Sequence, residues 1–140
     1  MDAKNYLQRV RFADERISSL IWEALRLRRN IRILEQSKEA PIGVRLTGIL
    51  GKLWMTEANL NFEIDTLVDF KGEVRDAIGK LRSPQERLVL RLRYLQNMNW
   101  KQIAGVLETS TKAVEALHRK ALLHFEVPER SVLRRKENLT

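Results

Sequence analysis

The chain reads as all-α: long heptad-patterned helices, as a hairpin or a coiled coil, followed by a C-terminal three-helix helix-turn-helix domain. Three observations predict this. Apolar residues recur at steps of four and three over residues 6–34 and again over 60–81. Ser83, Asn99 and Ser110, all good helix caps, each stand just before an apolar-periodic run. Between Asn99 and Leu123 a short helix, a polar break and a second helix follow one another at the spacing of a helix-turn-helix.

The first helix is read from Tyr6, Val10, Ala13, Ile17, Leu20, Ala24, Leu27, Ile31 and Leu34, a seam sustained for about four heptads. Arg and Glu fill most flanking positions, while Ile21, Trp22 and Leu25 widen the apolar face beyond a minimal seam, so the helix is suited to more than one neighbour. Pro41, Gly43, Gly48 and Gly51 then interrupt helical continuity, which predicts a Pro/Gly-broken connection at 37–51. Its apolar residues, among them Ile42, Val44, Leu46, Ile49 and Leu50, exceed what a solvated loop needs. A second helix over 53–81 carries Leu60, Ile64, Leu67, Val74, Ile78 and Leu81, with Lys71 in the seam as a register device or a snorkelling side chain.

A helix of about 30 residues is about 45 Å long, more than a compact unit of this mass buries alone. Self-association through residues 1–80 is the favoured remedy, a dimer first. The alternative is that the two heptad helices pack on each other within one chain.

Over 81–127, Ser83 and Pro84 open a helix whose Leu88, Val89, Leu92 and Leu95 roof the next two. Asn99 caps a helix with Trp100, Ile103, Ala104 and Leu107 on its apolar face, and Glu108-Thr109-Ser110 breaks it. The final helix turns Val114, Leu117, Ala121 and Leu122 inward. Ala104 precedes Val114 by ten residues, so a small side chain lets the second helix cross closely. Thr111, Lys112, Glu115, His118 and Arg119 are left facing out. In the major groove of double-stranded DNA, Arg119 or Lys112 suits guanine or phosphate and Glu115 suits cytosine, while Lys101, Lys120 and Arg93 suit phosphates. A generic three-helix bundle with a basic surface is the competing reading.

The same segment resembles region four of bacterial sigma factors. Glu86-Arg87, Val89-Leu90 and Leu92-Arg93-Tyr94 stand where that family has its ER-x-VL-x-LRY helix, followed by Ile103-Ala104 with Leu107 and by Lys120-Ala121-Leu122. From Asn59 to Phe125 the chain is also similar to small sigma-like phage proteins of Gram-positive hosts, including ArpU-type late-gene regulators, through Glu63-Ile64-Asp65-Thr66-Leu67-Val68-Asp69. The resemblance implies transcription regulation in a bacterial host, with RNA polymerase as a partner. Two positions depart from the family: Glu108 stands where the turn usually has glycine, and the promoter-reading positions fall on Lys112, Ala113 and Ala116, of which only Lys112 keeps hydrogen-bonding capacity. No counterpart of the promoter-melting region is seen, so the host's own sigma factor is expected to be needed.

Composition sets the outer bounds. The 140 residues carry 26 Lys and Arg against 18 Asp and Glu, a net charge of +8. The excess lies mainly in residues 81–140, with 12 against 6. Arg130, Arg134, Arg135 and Lys136 form a basic cluster in a tail, 128–140, expected to be flexible and either solvated or in touch with phosphate. Without cysteines there are no disulfides or thiolate metal sites, and the lack of a long apolar run or signal peptide points to the cytoplasm and away from membranes.

No enzyme is predicted. His118 and His124 stand six apart on different helix faces, and the acidic stripe Glu63, Asp65, Asp69 and Glu73 reads as a solvated face; neither a metal nor a cofactor is called for. Two other binding readings stay open: a phage small terminase subunit that recognises a packaging site, and a sigma-like adaptor that binds polymerase without reading DNA.

Overall fold

The computed structural model describes residues 2–36, 43–129 and 131–132. These form five α-helices and no strand: α1 (Ala3–Gln36), α2 (Gly43–Gly79), α3 (Pro84–Leu90), α4 (Trp100–Leu107) and α5 (Thr111–His124). A π-helical turn, Arg91–Leu95, continues α3. The all-α class with a C-terminal helix-turn-helix is thus observed. The chain divides into two units, one of Ala13–Thr66 and one joining Met1–Phe12 to Leu67–Thr140.

In the first unit α1 and α2 run antiparallel. Arg16 pairs with Glu63 at 3.1 Å and Arg28 with Glu57, so the partner number falls as the α1 number rises. Ala24 and Ile31 of α1 and Leu53 of α2 are buried together, with Leu27, Leu46 and Ile49 packed against them. The heptad seam of α1 is therefore met by α2 of the same chain. This resolves one ambiguity of the sequence: the two helices satisfy each other within the chain, and a second copy would have to use another face.

The second helix begins ten residues earlier than its pattern indicates. Residues 37–42 of the predicted connection lie outside the described residues, but from Gly43 onward the chain is helical, and Gly48 and Gly51 sit inside α2. Each interior glycine costs about 1 kcal/mol relative to alanine. Burial of Leu53 on the α1 seam, with Leu46 and Ile49 half-buried against it, offsets that cost, a fully buried aliphatic side chain contributing roughly 1.5–3 kcal/mol.

The core of the second unit draws on distant parts of the sequence. Tyr6, Leu7 and Val10 from the start of α1 are completely buried, as are Val74 and Ile78 at the end of α2, and Val89, Leu90, Ile103, Val114 and Ala121 of the three short helices. The Tyr6 ring meets Phe70 edge-on at 5.2 Å and Phe125 at 5.9 Å. Residues 6–10 and 70–78, patterned like the rest of the heptad helices, thus supply core to the helix-turn-helix.

The acidic stripe is only partly a solvated face. Glu63 holds Arg16, and Glu73 accepts from the Tyr6 hydroxyl at 2.5 Å, Ser131 Oγ at 2.8 Å and Val132 N–H at 2.8 Å. Burial and the adjacent Glu73 carboxylate raise the Tyr6 phenol above its usual range, so it stays a donor. Ser131 is buried, and Ser131 and Val132 are both bonded to Glu73 of α2. Arg130, Arg134, Arg135 and Lys136 lie outside the described residues. Lys71 is half-buried.

Candidate nucleic-acid interface

Local chemistry sets each helix end of the C-terminal unit. The Ser83 side chain accepts from Glu86 N–H at 3.3 Å with Pro84 in the first turn, which starts α3. The Asn99 side chain accepts from Gln102 N–H at 2.8 Å while the Gln102 side chain accepts from Asn99 N–H at 3.0 Å, a reciprocal capping box that starts α4. Ser110 accepts from Ala113 N–H at 3.2 Å and starts α5. All three caps are where the sequence indicates them.

The turn between α4 and α5 is tight. Glu108 adopts φ 54°, ψ 45°, the left-handed conformation, and Thr109 N–H bonds back to the Ala104 carbonyl at 3.0 Å. A glycine is the usual occupant because it has no Cβ to clash there. Glu108 therefore makes the same turn as a glycine would, at some conformational cost.

The roof differs from its predicted form. Val89, Leu90 and Tyr94 are buried, whereas Leu88 is exposed and Leu92 and Leu95 only half-buried. The buried Glu86, Leu90 and Tyr94 fall at steps of four, one helical row that leaves Leu88 outside it, and the row continues into the π-helical turn, where the Gln96 N–H reaches the Arg91 carbonyl five residues back at 2.9 Å.

Val114, His118 and Ala121 turn inward from α5. Its opposite side is a central stripe of Lys112, Ala116, Arg119 and Leu123, flanked by Ala113 and Lys120 on one edge and by the half-buried Glu115 on the other, while Thr111, three residues before Val114, is exposed at the start of the helix. Lys101 is exposed in the first turn of α4. Of the eight residues singled out from sequence, Thr111, Lys112, Arg119, Lys120 and Lys101 are open to solvent. Lys120 also lines a pocket of about 670 Å³ with Lys80, Arg82, Glu86 and His124, so it stands toward the edge of α5.

Two of the eight are placed otherwise. His118 is 6% exposed and cannot reach a groove from there. Its Nε2 and the Tyr94 hydroxyl share a hydrogen bond of 2.7 Å, and the Trp100 ring meets it edge-on at 4.7 Å. Burial first, then the charges of Arg93, Lys4 and Arg119, push its pKa down to about 4. The physical reason was present in the sequence: His118 lies four residues after Val114 and three before Ala121, on the inward row.

Arg93, expected at a phosphate, is half-buried. Its guanidinium lies 4.1 Å over the Trp100 ring and donates to the Met98 carbonyl at 3.1 Å, while Arg11 of α1 donates to the Arg93 and Met98 carbonyls at 3.4 and 3.5 Å. The two arginines brace the loop that leads into α4. Arg11 and Tyr94 are not legible in the sequence as parts of this arrangement because their partners lie 82 and 24 residues away, beyond any local period.

A second brace joins the ends of α3 and α5. The Glu86 carboxylate, 3% exposed, lies 2.8 and 3.0 Å from His124 Nδ1. With the caps, the tight turn and these two braces, the arrangement is a rigid scaffold that holds the basic stripe of α5 to solvent.

Residues 77–124, from the last turn of α2 to the end of α5, match the family model of sigma-70, region 4. The chain carries a sigma-70 region 4 domain. No curated protein matches the chain, and no solved structure does. Region 4 is a DNA-binding domain type of helix-turn-helix form, not a catalytic one, and its match includes every residue of the exposed α5 stripe. Among the described residues no helix is long and apolar enough to cross a membrane, and no group of acidic residues and histidines is arranged to hold a metal ion.

Proposed function

We propose that this protein is a sequence-specific, sigma-like transcription regulator, phage-encoded and acting in the bacterial cytoplasm with host RNA polymerase on a late operon. The observation that carries the reading is the exposed stripe Lys112, Ala116 and Arg119 on the second helix of a helix-turn-helix within the region 4 match. The likeness of residues 63–69 to ArpU-type regulators supports the phage and late-operon part.

In this reading α5 enters the major groove. Lys112 and Arg119 donate to guanine or phosphate, and Glu115, one turn before Arg119, accepts from cytosine or orients that guanidinium. Lys101 and Lys120, from the edges of the unit, meet phosphates and set register without reading sequence. The exposed methyl groups of Ala113 and Ala116 suit thymine methyls, which turns the departure from the family pattern into a different preference rather than a loss of readout. His118 and Arg93 support the helix from behind.

Selection of bound fragments from the native genome tests the proposal. Enrichment of a shared sequence ahead of a late operon is expected. Enrichment at a packaging site would replace the reading with terminase function, and no enrichment over random duplex at near-physiological salt would remove specific DNA readout.

A further inference from the structure

We propose that the cleft between the α2–α3 turn and one flank of α5 grips the sugar-phosphate backbone of the duplex that α5 reads, with Lys80 and Arg82 on one wall and Lys120 on the other. This contact rests on the DNA reading above and draws on residues outside both helices of the helix-turn-helix. The cleft encloses about 670 Å³, within the size range of ligand-binding sites, and the three cations that line it are all exposed.

Helix geometry sets the cleft beside the groove-facing stripe. At 3.6 residues per turn, Leu117, Lys120 and His124 lie about 100° around α5 from the centre of the row Lys112, Ala116, Arg119 and Leu123, and these three side chains line the cleft. A helix about 10–12 Å across fills a major groove about 12 Å wide, so each of its flanks faces one of the two phosphate backbones. Across the cleft from Lys120 runs the turn of residues 80–83, which brings Lys80 and Arg82 to that same backbone.

The turn is built before DNA arrives. Lys80 N–H bonds to the Ala77 carbonyl at 3.2 Å and Leu81 N–H to the Ile78 carbonyl at 3.0 Å, while the Arg87 guanidinium donates to the Leu81 and Arg82 carbonyls at 2.6 and 3.1 Å. Lys80 and Arg82 therefore project from a fixed backbone, which lowers the ordering cost of a contact. Two acidic residues share the cleft. The buried Glu86 has its carboxylate oxygens 2.8 and 3.0 Å from His124 Nδ1, and Glu126 stands just past the end of α5. With Glu86 taken up by His124, Lys80, Arg82 and Lys120 face the single exposed carboxylate of Glu126, an excess that suits a polyanion. Continuity with the α5 stripe through Lys120 favours DNA over an acidic protein segment as the occupant.

The test is the salt dependence of DNA binding by the full chain, read by fluorescence anisotropy between about 50 and 200 mM salt on a selected and a random duplex, for wild type and for Lys80→Gln with Arg82→Gln. Each phosphate contact releases counterions and contributes about 0.9 to the slope of log affinity against log salt. The double variant is expected to lose about 1.8 from that slope on both duplexes, to weaken both by the same several-fold factor, and to keep the wild-type preference for the selected one. Arg82→Lys, which keeps the charge, retains the slope. Helicity by circular dichroism is preserved, because both side chains are exposed and Arg87 holds the turn through backbone carbonyls. An unchanged slope in the folded double variant overturns the proposal and leaves the cleft to an acidic protein segment; a loss confined to the selected duplex overturns it as well. If the double variant loses helicity, Lys80→Gln alone is measured in its place, with a loss of about 0.9 expected and an unchanged slope again decisive against the cleft. A wild type that binds no duplex brings down the DNA reading and the cleft together, whereas selective binding with an unaltered slope in the variant brings down the cleft alone.

Discussion

The Tyr94 hydroxyl and His118 Nε2, 24 residues apart in sequence, lie 2.7 Å from each other in the interior of the helix-turn-helix. A neutral imidazole with its proton on Nδ1 accepts that bond at Nε2, whereas an imidazolium would present an N–H to the phenol and carry a charge into a site already near Arg93, Lys4 and Arg119. The pair fixes α5 to the end of the α3 roof, and it couples the position of the DNA-facing stripe to pH.

The sign of that coupling is set by the lowered pKa of about 4 against 6.5 in the unfolded chain. The unfolded state takes up the proton first, so the stabilisation is complete above 6.5 and is lost as pH falls toward 4. Between pH 7 and pH 5 the contribution amounts to about 2 kcal/mol. Urea unfolding at the two pH values should show this loss, and His118→Gln, which keeps a polar partner for Tyr94 without titrating, should remove most of it. An equal loss in the variant would assign the acid sensitivity to other groups.

Glu108 holds a left-handed conformation that costs a residue with a Cβ about 1–2 kcal/mol, part of which glycine returns through its greater freedom in the unfolded chain. Glu108→Gly is therefore expected to stabilise the domain by up to about 1 kcal/mol, seen as a rise of a few degrees in melting temperature. A destabilised variant would mean that the Glu108 side chain supplies a compensating contact.

If Ala113 and Ala116 read thymine methyls, replacing the contacted thymines of a selected duplex with deoxyuridine should weaken binding by about fourfold per methyl, the equivalent of about 0.8 kcal/mol. Ala116→Ser should bind the two duplexes with less difference. Equal affinity of wild type for both would remove the methyl contacts and leave recognition to Lys112 and Arg119.

What was legible in the sequence follows the range of the interactions. The caps Ser83, Asn99 and Ser110 act within three residues, and their side-chain acceptors could be recognised from residue type and position alone. The seams of α1 and α2 could be read from periodicity, although the period could not say whether the partner was the same chain. Gly48 and Gly51 misled because a propensity of about 1 kcal/mol is outweighed by packing that no local window contains. Tyr6 beneath the helix-turn-helix, Arg11 beneath the loop before α4 and Glu73 holding Ser131 are all long-range, so no spacing announced them. His118 was the opposite case, since its place on the inward row could have been counted, but an ionisable residue on a basic helix invited an outward role.

In the proposed reading, the exposed stripe of α5 is the DNA-reading surface of this sigma-70 region 4 domain. This assignment is tested most directly by fluorescence anisotropy on a selected duplex at near-physiological salt, comparing wild type with the double variant Lys112→Ala, Arg119→Ala. Both side chains are exposed, so melting temperature should be preserved while affinity falls at least several-fold, consistent with about 1–3 kcal/mol for each good base contact. Unchanged affinity in a folded double variant would contradict the account and move the DNA contact off α5.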